Sequence, residues 1–455
     1  MTFMERSRID WVVIWGCCIA LLLLWLPGVG YPIVSDTAVY ALLGEHLWQH
    51  GTYTFFGEPY AKHLPLHAFL SYPFVWLFGY GLGMKLSSLV AGWGVLVATY
   101  LLLAKTLSRQ VALLSVVLLT AHHGFVLMTH FGSADLLFAA LFLFAVVAYV
   151  QSSAQKRWYL LAFVLAGLAS LTRYNGVPLF ALFLGHAFLY RRNDLKSAPY
   201  IGGLGLGLGL IGSWFARNFL VFGDPLYTEY TAELSKESLG FIGQIVSNAV
   251  FYIQPTRNLL PILLLCALYG LWKYGRTQKF LVAAILTAWL LTSFWWVQGM
   301  RFAFPGYPIL MGFAVMGLLD VCRNIRRPVL VGLLIVLTHL PALCLYSYGS
   351  CNAWFDRSVG LLPQNLGLSS EGFHTWSLAR DYVNEHALPE AYVDATSPLL
   401  ATVWQQGVFR SDLRPVENTE GLCPAYRIDE DPEGGNILFQ TESFPQRYVH
   451  LFDCS

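Results

Sequence analysis

The sequence predicts a polytopic α-helical membrane protein. It has about 11 transmembrane helices, interfacial helices in the first outer loop, and a small extracytoplasmic α+β domain at its C-terminal end. Three observations predict this. Of 455 residues, 56% are hydrophobic and only 12% charged, with mean hydropathy +0.54, where a soluble protein averages roughly 25% charged. Apolar runs long enough to cross a bilayer recur to about residue 348. The polar gaps between them also alternate in charge. Arg6/Arg8, Lys105/Arg109, Lys156/Arg157, Arg191/Arg192/Lys196, Lys273/Arg276/Lys279 and Arg323/Arg326/Arg327 place fifteen of the 28 basic residues in six short gaps. That bias marks the cytoplasmic side.

Reading outward from Arg8, spans fall near 10–30, 84–104, 111–130, 134–151, 158–173, 176–190, 198–221, 257–273, 279–298, 302–320 and 329–348. The first run follows two arginines and precedes no small-residue cleavage site, so it reads as an uncleaved signal-anchor. The segment His63–Tyr80 is apolar but broken by Pro65 and Pro73. Counting it as a span would put Lys105/Arg109 and Lys156/Arg157 outside, so it is expected to lie in the interface. This sets the N-terminus in the cytoplasm and the C-terminal domain outside, in the inner or plasma membrane.

Two domains are expected: 1–348 in the membrane, with outer loops at 31–83 and 222–256, and 349–455 outside it. In the tail, Thr375–His386 reads as helix, and Ala391–Asp394 and Asn436–Phe439 read as strands. Among Cys351, Cys423 and Cys454, the pair Cys423–Cys454 is expected, because Cys351 is tethered at the membrane end. The run Gly202, Gly203, Gly205, Gly207, Gly209 and Gly212 predicts close helix packing. The net charge of +1 says nothing about nucleic acid, but no basic domain is present to bind it, so no nucleic-acid partner is expected.

Charges outside the cytoplasmic set are the candidates for function, because ionisable groups at membrane depth are costly. They are Asp36, Lys62, Asp135, Arg173, Arg217 and Arg301, each near the outer end of a run. Asp36 can cap a helix or accept a proton. Lys62 can snorkel or hold a phosphate. Asp135 can favour a helix N-terminus or act as a second acid. Arg173, in a tight outer hairpin, reads as structural. His122, His123 and His130 read as polar packing, since adjacent histidines cannot share one helix face. No metal site is expected. The sequence establishes no cofactor and leaves a divalent cation open. The 222–254 loop, with Glu229, Tyr230, Glu233 and Lys236, can serve as a lid.

Four segments in order carry a family resemblance. They are Asp36 beyond the first span, Gly57-Glu58-Pro59-Tyr60-Ala61-Lys62-His63-Leu64-Pro65-Leu66, Phe131-Gly132-Ser133-Ala134-Asp135-Leu136, and Arg301-Phe302-Ala303-Phe304-Pro305-Gly306-Tyr307-Pro308. Together they resemble the GT-C class of glycosyltransferases, nearest to the protein O-mannosyltransferases and lipid A aminoarabinose transferases. Two departures stand out. His63-Leu64 occupies the place before Pro65 where the family commonly has two adjacent prolines after the lysine, and Ala61 replaces an acidic residue.

The resemblance implies transfer of a sugar from a polyprenyl-phosphate carrier to a protein, glycolipid or polysaccharide hydroxyl outside the cytoplasm. Asp36 and Asp135 would be catalytic, with Asp36 the general base. Lys62, Arg301 and Arg217 would bind the carrier phosphate. A transporter or flippase of a lipid-linked saccharide is the alternative. It would place its charges near the midplane, among inverted repeats.

Overall fold

The computed structural model describes residues 8–322 except 27–28, 30–35, 56–57, 231–239, 254–260 and 296–298. In the tail it describes 379, 382–394, 413–415, 423–429, 436–440 and 448–452. The expected span at 329–348, and Cys351, Cys454, Glu233 and Lys236, lie outside the described residues.

The apolar runs form helices where the hydropathy places them. α1 is Arg8–Trp25, α2 Asp36–His50, α3 Pro65–Thr106, α4 Arg109–Thr120, α5 His123–Phe131, α6 Ala134–Gln151, α7 Trp158–Thr172, α8 Pro178–Tyr190 and α9 Ala198–Phe222. Further helices cover Gly240–Ile253, Pro261–Tyr274, Lys279–Leu290, Met300–Ala303 and Tyr307–Val321. Four described helices are long and apolar enough to cross a membrane, or five if the pair α4 and α5, bent by 61°, is one span. The start of α4 is capped by Ser108, whose hydroxyl accepts from the Val111 amide at 3.2 Å.

α3 is two arms joined at Gly79, which holds φ 79° and ψ 168°. At 1.5 Å per residue the arm before it is about 21 Å long, shorter than the roughly 30 Å hydrocarbon core. The arms fold back so tightly that a Cβ on Gly83 would meet the backbone of Phe74 and Val75 at 2.5 Å. The first arm packs on α2, where Gly44 sits against the Ala68 carbonyl. The first arm is thus a short helix turned back on the longer one that follows.

Two sequence expectations need correction. In the glycine run, only Gly203 and Gly207 pack closely, against Tyr159, Leu160 and Phe163 of α7. Gly202, Gly205, Gly209 and Gly212 have nothing within 4 Å. At four-residue spacing only one pair can share the buried stripe. Secondly, the 222–256 loop contains a helix, Gly240–Ile253. Its Gln244 and Asn248 donate to the carbonyls of Thr292, Ser293 and Trp295.

The described basic clusters sit at alternate helix connections, each near an acid. Arg109 pairs with Asp10, Lys156 with Asp194 and Lys273 with Asp320. In the tail, five strands form one sheet: β1 Tyr392–Asp394, β2 Arg414–Pro415, β3 Ala425–Asp429, β4 Asn436–Gln440 and β5 Tyr448–Phe452, in the order β2-β1-β3-β5-β4. β1 runs parallel to β2 and β3, while β3, β5 and β4 are antiparallel. Val393, Tyr426, Ile428 and Val449 belong to the same apolar cluster as Val39, Leu43 and Ala68 of α2 and α3.

Candidate active site

Asp36 opens α2, where unpaired helix amides favour a carboxylate. Two nitrogens reach it from distant parts of the chain. His63 Nε2 lies 3.6 Å from Oδ1, and Arg301 Nη2 lies 3.7 Å from Oδ2. The side chains of Asp36 and Arg301 keep 29% and 31% of their surface exposed, so a polar molecule can reach between them. Burial by itself raises the pKa of this carboxyl. His63 beside it, then the charges of Arg301 and Arg173, more than reverse that. The group is held well below the usual carboxylate range.

His63 is buried and fixed on several sides. Its ring stacks on Tyr40 at 4.7 Å and lies 5.7 Å from Tyr60, and its Nδ1 is 3.2 Å from Tyr230 Oη. Tyr40 also meets the edge of His67 at 4.8 Å. His67 Nε2 is 2.9 Å from the Gly132 carbonyl, and Thr37 donates to the Phe131 carbonyl. These bonds tie the first outer loop to the end of α5. Gly132 makes the corner possible: its φ is 68°, and a Cβ there would stand 2.8 Å from Met84 and Thr37.

Lys62 Nζ lies over the Tyr230 ring at 5.5 Å. Residues 228–230 grip this segment. The Ala61 amide donates to Glu229 at 3.3 Å, and Thr228 Oγ1 donates to the Ala61 carbonyl at 3.4 Å. The part of the second outer loop expected as a lid thus touches the Lys62 stretch through Thr228, Glu229 and Tyr230.

Asp135 is buried and fully engaged. Ser133 Oγ donates to Oδ2 at 2.6 Å, and Arg173 is paired with Oδ1. Asp135 joins the site through Arg173, whose guanidinium lies 5.1 Å from the Phe302 ring centre, while Arg301 lies 4.8 Å from the same ring. Arg217 stands elsewhere. It donates to the carbonyls of Tyr60 at 3.0 Å and Tyr53 at 3.1 Å, behind the loop that presents Lys62.

Of the residues expected from sequence, the structure therefore brings Asp36 and Arg301 together, places Lys62 next to the His63 contact, and attaches Asp135 by way of Arg173. Arg217 braces the loop. Sequence reasoning passed over His63 as a mere replacement for proline and weighed Arg173 as structural. The only available signal for His63 was a titratable ring where the family pattern has none.

Among the described residues, no group of three or more His, Cys, Asp or Glu stands where it could hold a metal ion. The ring nitrogens of His130 face the carbonyls of Trp25 at 2.9 Å and Val126 at 3.0 Å, and His122 stacks on His123.

The chain resembles the GT-C glycosyltransferases. Residues 62–214 match the family described as dolichyl-phosphate-mannose-protein mannosyltransferase, a stretch beginning at Lys62. The fold is similar to ArnT from Cupriavidus metallidurans bound to undecaprenyl phosphate, with 13% identity, 99% of each chain covered and TM-score 0.64. It is similar to the same enzyme in the apo state, with 14% identity, 98% of each chain covered and TM-score 0.66. The oligosaccharyltransferase of Archaeoglobus fulgidus in complex with zinc and sulfate is a further likeness, at 14% identity and TM-score 0.59, covering 89% of this chain and 62% of that one. At such identities the likeness is one of fold. No curated protein matches the chain by sequence.

Proposed function

We propose that this protein is an inverting membrane glycosyltransferase. It moves a sugar from a polyprenyl-phosphate carrier to an acceptor hydroxyl on the extracytoplasmic face. The observation that carries the reading is the meeting of the partly exposed Asp36 and Arg301, with Lys62 next in the chain to the His63 that contacts Asp36 and lying over the Tyr230 ring. A carboxylate and cations at one helix end are what this chemistry needs. Asp36 takes the proton of the acceptor hydroxyl as its oxygen attacks the anomeric carbon. The bond from that carbon to the phosphate oxygen breaks, and its electron pair leaves with the phosphate. Lys62 and Arg301 balance the growing charge, commonly the largest catalytic contribution.

The proposed orientation places the N-terminus in the cytoplasm and the tail outside, on the side of Asp36. Two observations support it. The described basic clusters occupy the opposite helix connections. Cys423 is disulfide-bonded, while the other described cysteines are free, so its partner lies among residues not described. A disulfide fits an oxidising compartment.

The test gives purified protein a polyprenyl-phosphate sugar and a cell-envelope extract as acceptor. Wild type is expected to transfer sugar. Asp36→Asn should abolish transfer and keep carrier binding. Lys62→Ala should weaken both, since phosphate charge is present before the reaction and grows during it. Full activity in Asp36→Asn would remove Asp36 as the base. Absence of transfer in wild type, with carrier moved across reconstituted vesicles, would favour the flippase.

A further inference from the structure

We propose that His63 receives the proton that Asp36 takes from the acceptor hydroxyl, with Tyr230 setting the imidazole tautomer for that step; this rests on the glycosyl-transfer reading above. The geometry carries it. His63 presents Nε2 to Asp36 Oδ1 at 3.6 Å and Nδ1 to Tyr230 Oη at 3.2 Å. Stacking on Tyr40 holds the ring plane. The 3.6 Å separation is slightly longer than a hydrogen bond, as such contacts often are before substrate tightens the site. The chain places this ring where the resembling family has proline, so nothing in backbone geometry requires an imidazole here.

The electrostatics of the partner supply the need. Besides His63, the charges of Arg301 and Arg173 hold Asp36 in its ionised form, so a proton it takes is bound weakly and readily passed on. An imidazole is ordinarily a stronger base than a carboxylate by about two pKa units. For Nε2 to accept, Nδ1 must carry the hydrogen and donate it to Tyr230 Oη. The acceptor O–H bond breaks, its oxygen bonds the anomeric carbon, and the carbon–phosphate bond gives its pair to the phosphate. The proton passes through Asp36 to His63 Nε2. The resulting imidazolium donates to Asp36 and to Tyr230, and loses its proton to water as products leave.

The groups facing His63 are Asp36 and Tyr40 from α2, Tyr60 and Lys62 from its own segment, His67 from α3 and Tyr230 from the second outer loop. Arg301 and Arg173 act on it through Asp36. An already protonated His63 cannot accept a second proton at Nε2, so the relay makes transfer depend on pH in a way that needs the ring.

The experiment measures kcat and carrier KM against pH for wild type, His63→Gln and Tyr230→Phe. His63→Gln should lower kcat about 100-fold, leave carrier KM unchanged, and lose the acid limb seen in wild type. Tyr230→Phe keeps the ring but removes the Nδ1 acceptor, so it should lower kcat and displace the limb. Wild-type kcat, or an unmoved acid limb, in His63→Gln overturns the relay. If that variant does not fold, a wild-type profile in Tyr230→Phe overturns it. Transfer in wild type that is lost in Asp36→Asn but intact in His63→Gln sinks the relay alone. Absence of transfer in wild type overturns both readings.

Discussion

Arg173 shows what the fold adds to a residue whose local reading was structural. In sequence it belongs to a short hairpin. In the fold it neutralises the buried Asp135 and adds to the field on Asp36. Removing one partner of a buried pair leaves an uncompensated charge. Arg173→Ala is expected to destabilise the protein by about 3–5 kcal/mol, read as a lower unfolding temperature in detergent. Asp36 behaves differently because it is half-exposed. Its pKa in the folded state lies below the unfolded value, so the stability its ionised form contributes is complete above the ordinary carboxylate range. That stability is lost only as pH falls through the depressed value. Arg301→Gln removes one of the lowering charges, so the Asp36 pKa should rise and acid unfolding should begin at a higher pH. An unchanged acid midpoint would show that Arg301 does not hold Asp36 ionised.

At the scale of elements, two glycine sites separate close packing from open surface. Gly207 abuts the Phe163 carbonyl, where a Cβ would stand 2.3 Å away, whereas Gly205 has nothing within 4 Å. Gly207→Ala should cost about 1–3 kcal/mol by forcing α7 and α9 apart. Gly205→Ala should be neutral or stabilising by roughly 0.5–1 kcal/mol, as alanine is the better helix former. Equal effects would mean that α9 does not face α7 through this stripe. Gly132 combines positive φ with contact on Met84 and Thr37, and its carbonyl anchors His67. Gly132→Ala should therefore reduce transfer without touching any reacting group, with loss of about 1–3 kcal/mol, measured as activity against thermal stability. The glycine run was visible in the sequence. Which pair is buried was not, because that depends on the neighbouring helix.

At the scale of the whole molecule, orientation is the open expectation. A reporter active only in the cytoplasm should be silent when fused to the tail and active when fused in the connection at Lys156/Arg157. The reverse pattern would invert every assignment of side, and with it the outer location of Asp36. Much of this architecture was legible in the sequence. The helices from α4 to α9 fall within a few residues of the apolar runs, and Pro65 and Pro73, with the charges of later loops, set 63–80 apart from the run that follows, where Gly79 divides α3. Hydropathy and the positive-inside bias add up residue by residue, so a linear reading recovers them.

Sequence alone therefore determined the membrane class and the order of apolar helices, and it set the expectation of a shared depth for Asp36, Lys62, Asp135 and Arg301, since each residue carries its own cost of transfer into lipid wherever its neighbours are. Lateral position was decided only by the tertiary structure. The approach of His63 and Arg301 to Asp36, the capture of Asp135 by Arg173 and the bracing role of Arg217 all arise from how helices pack side by side and how two outer loops close over one corner. Those contacts join residues far apart in the chain, and no local periodicity or charge pattern encodes which of several equally deep groups will meet.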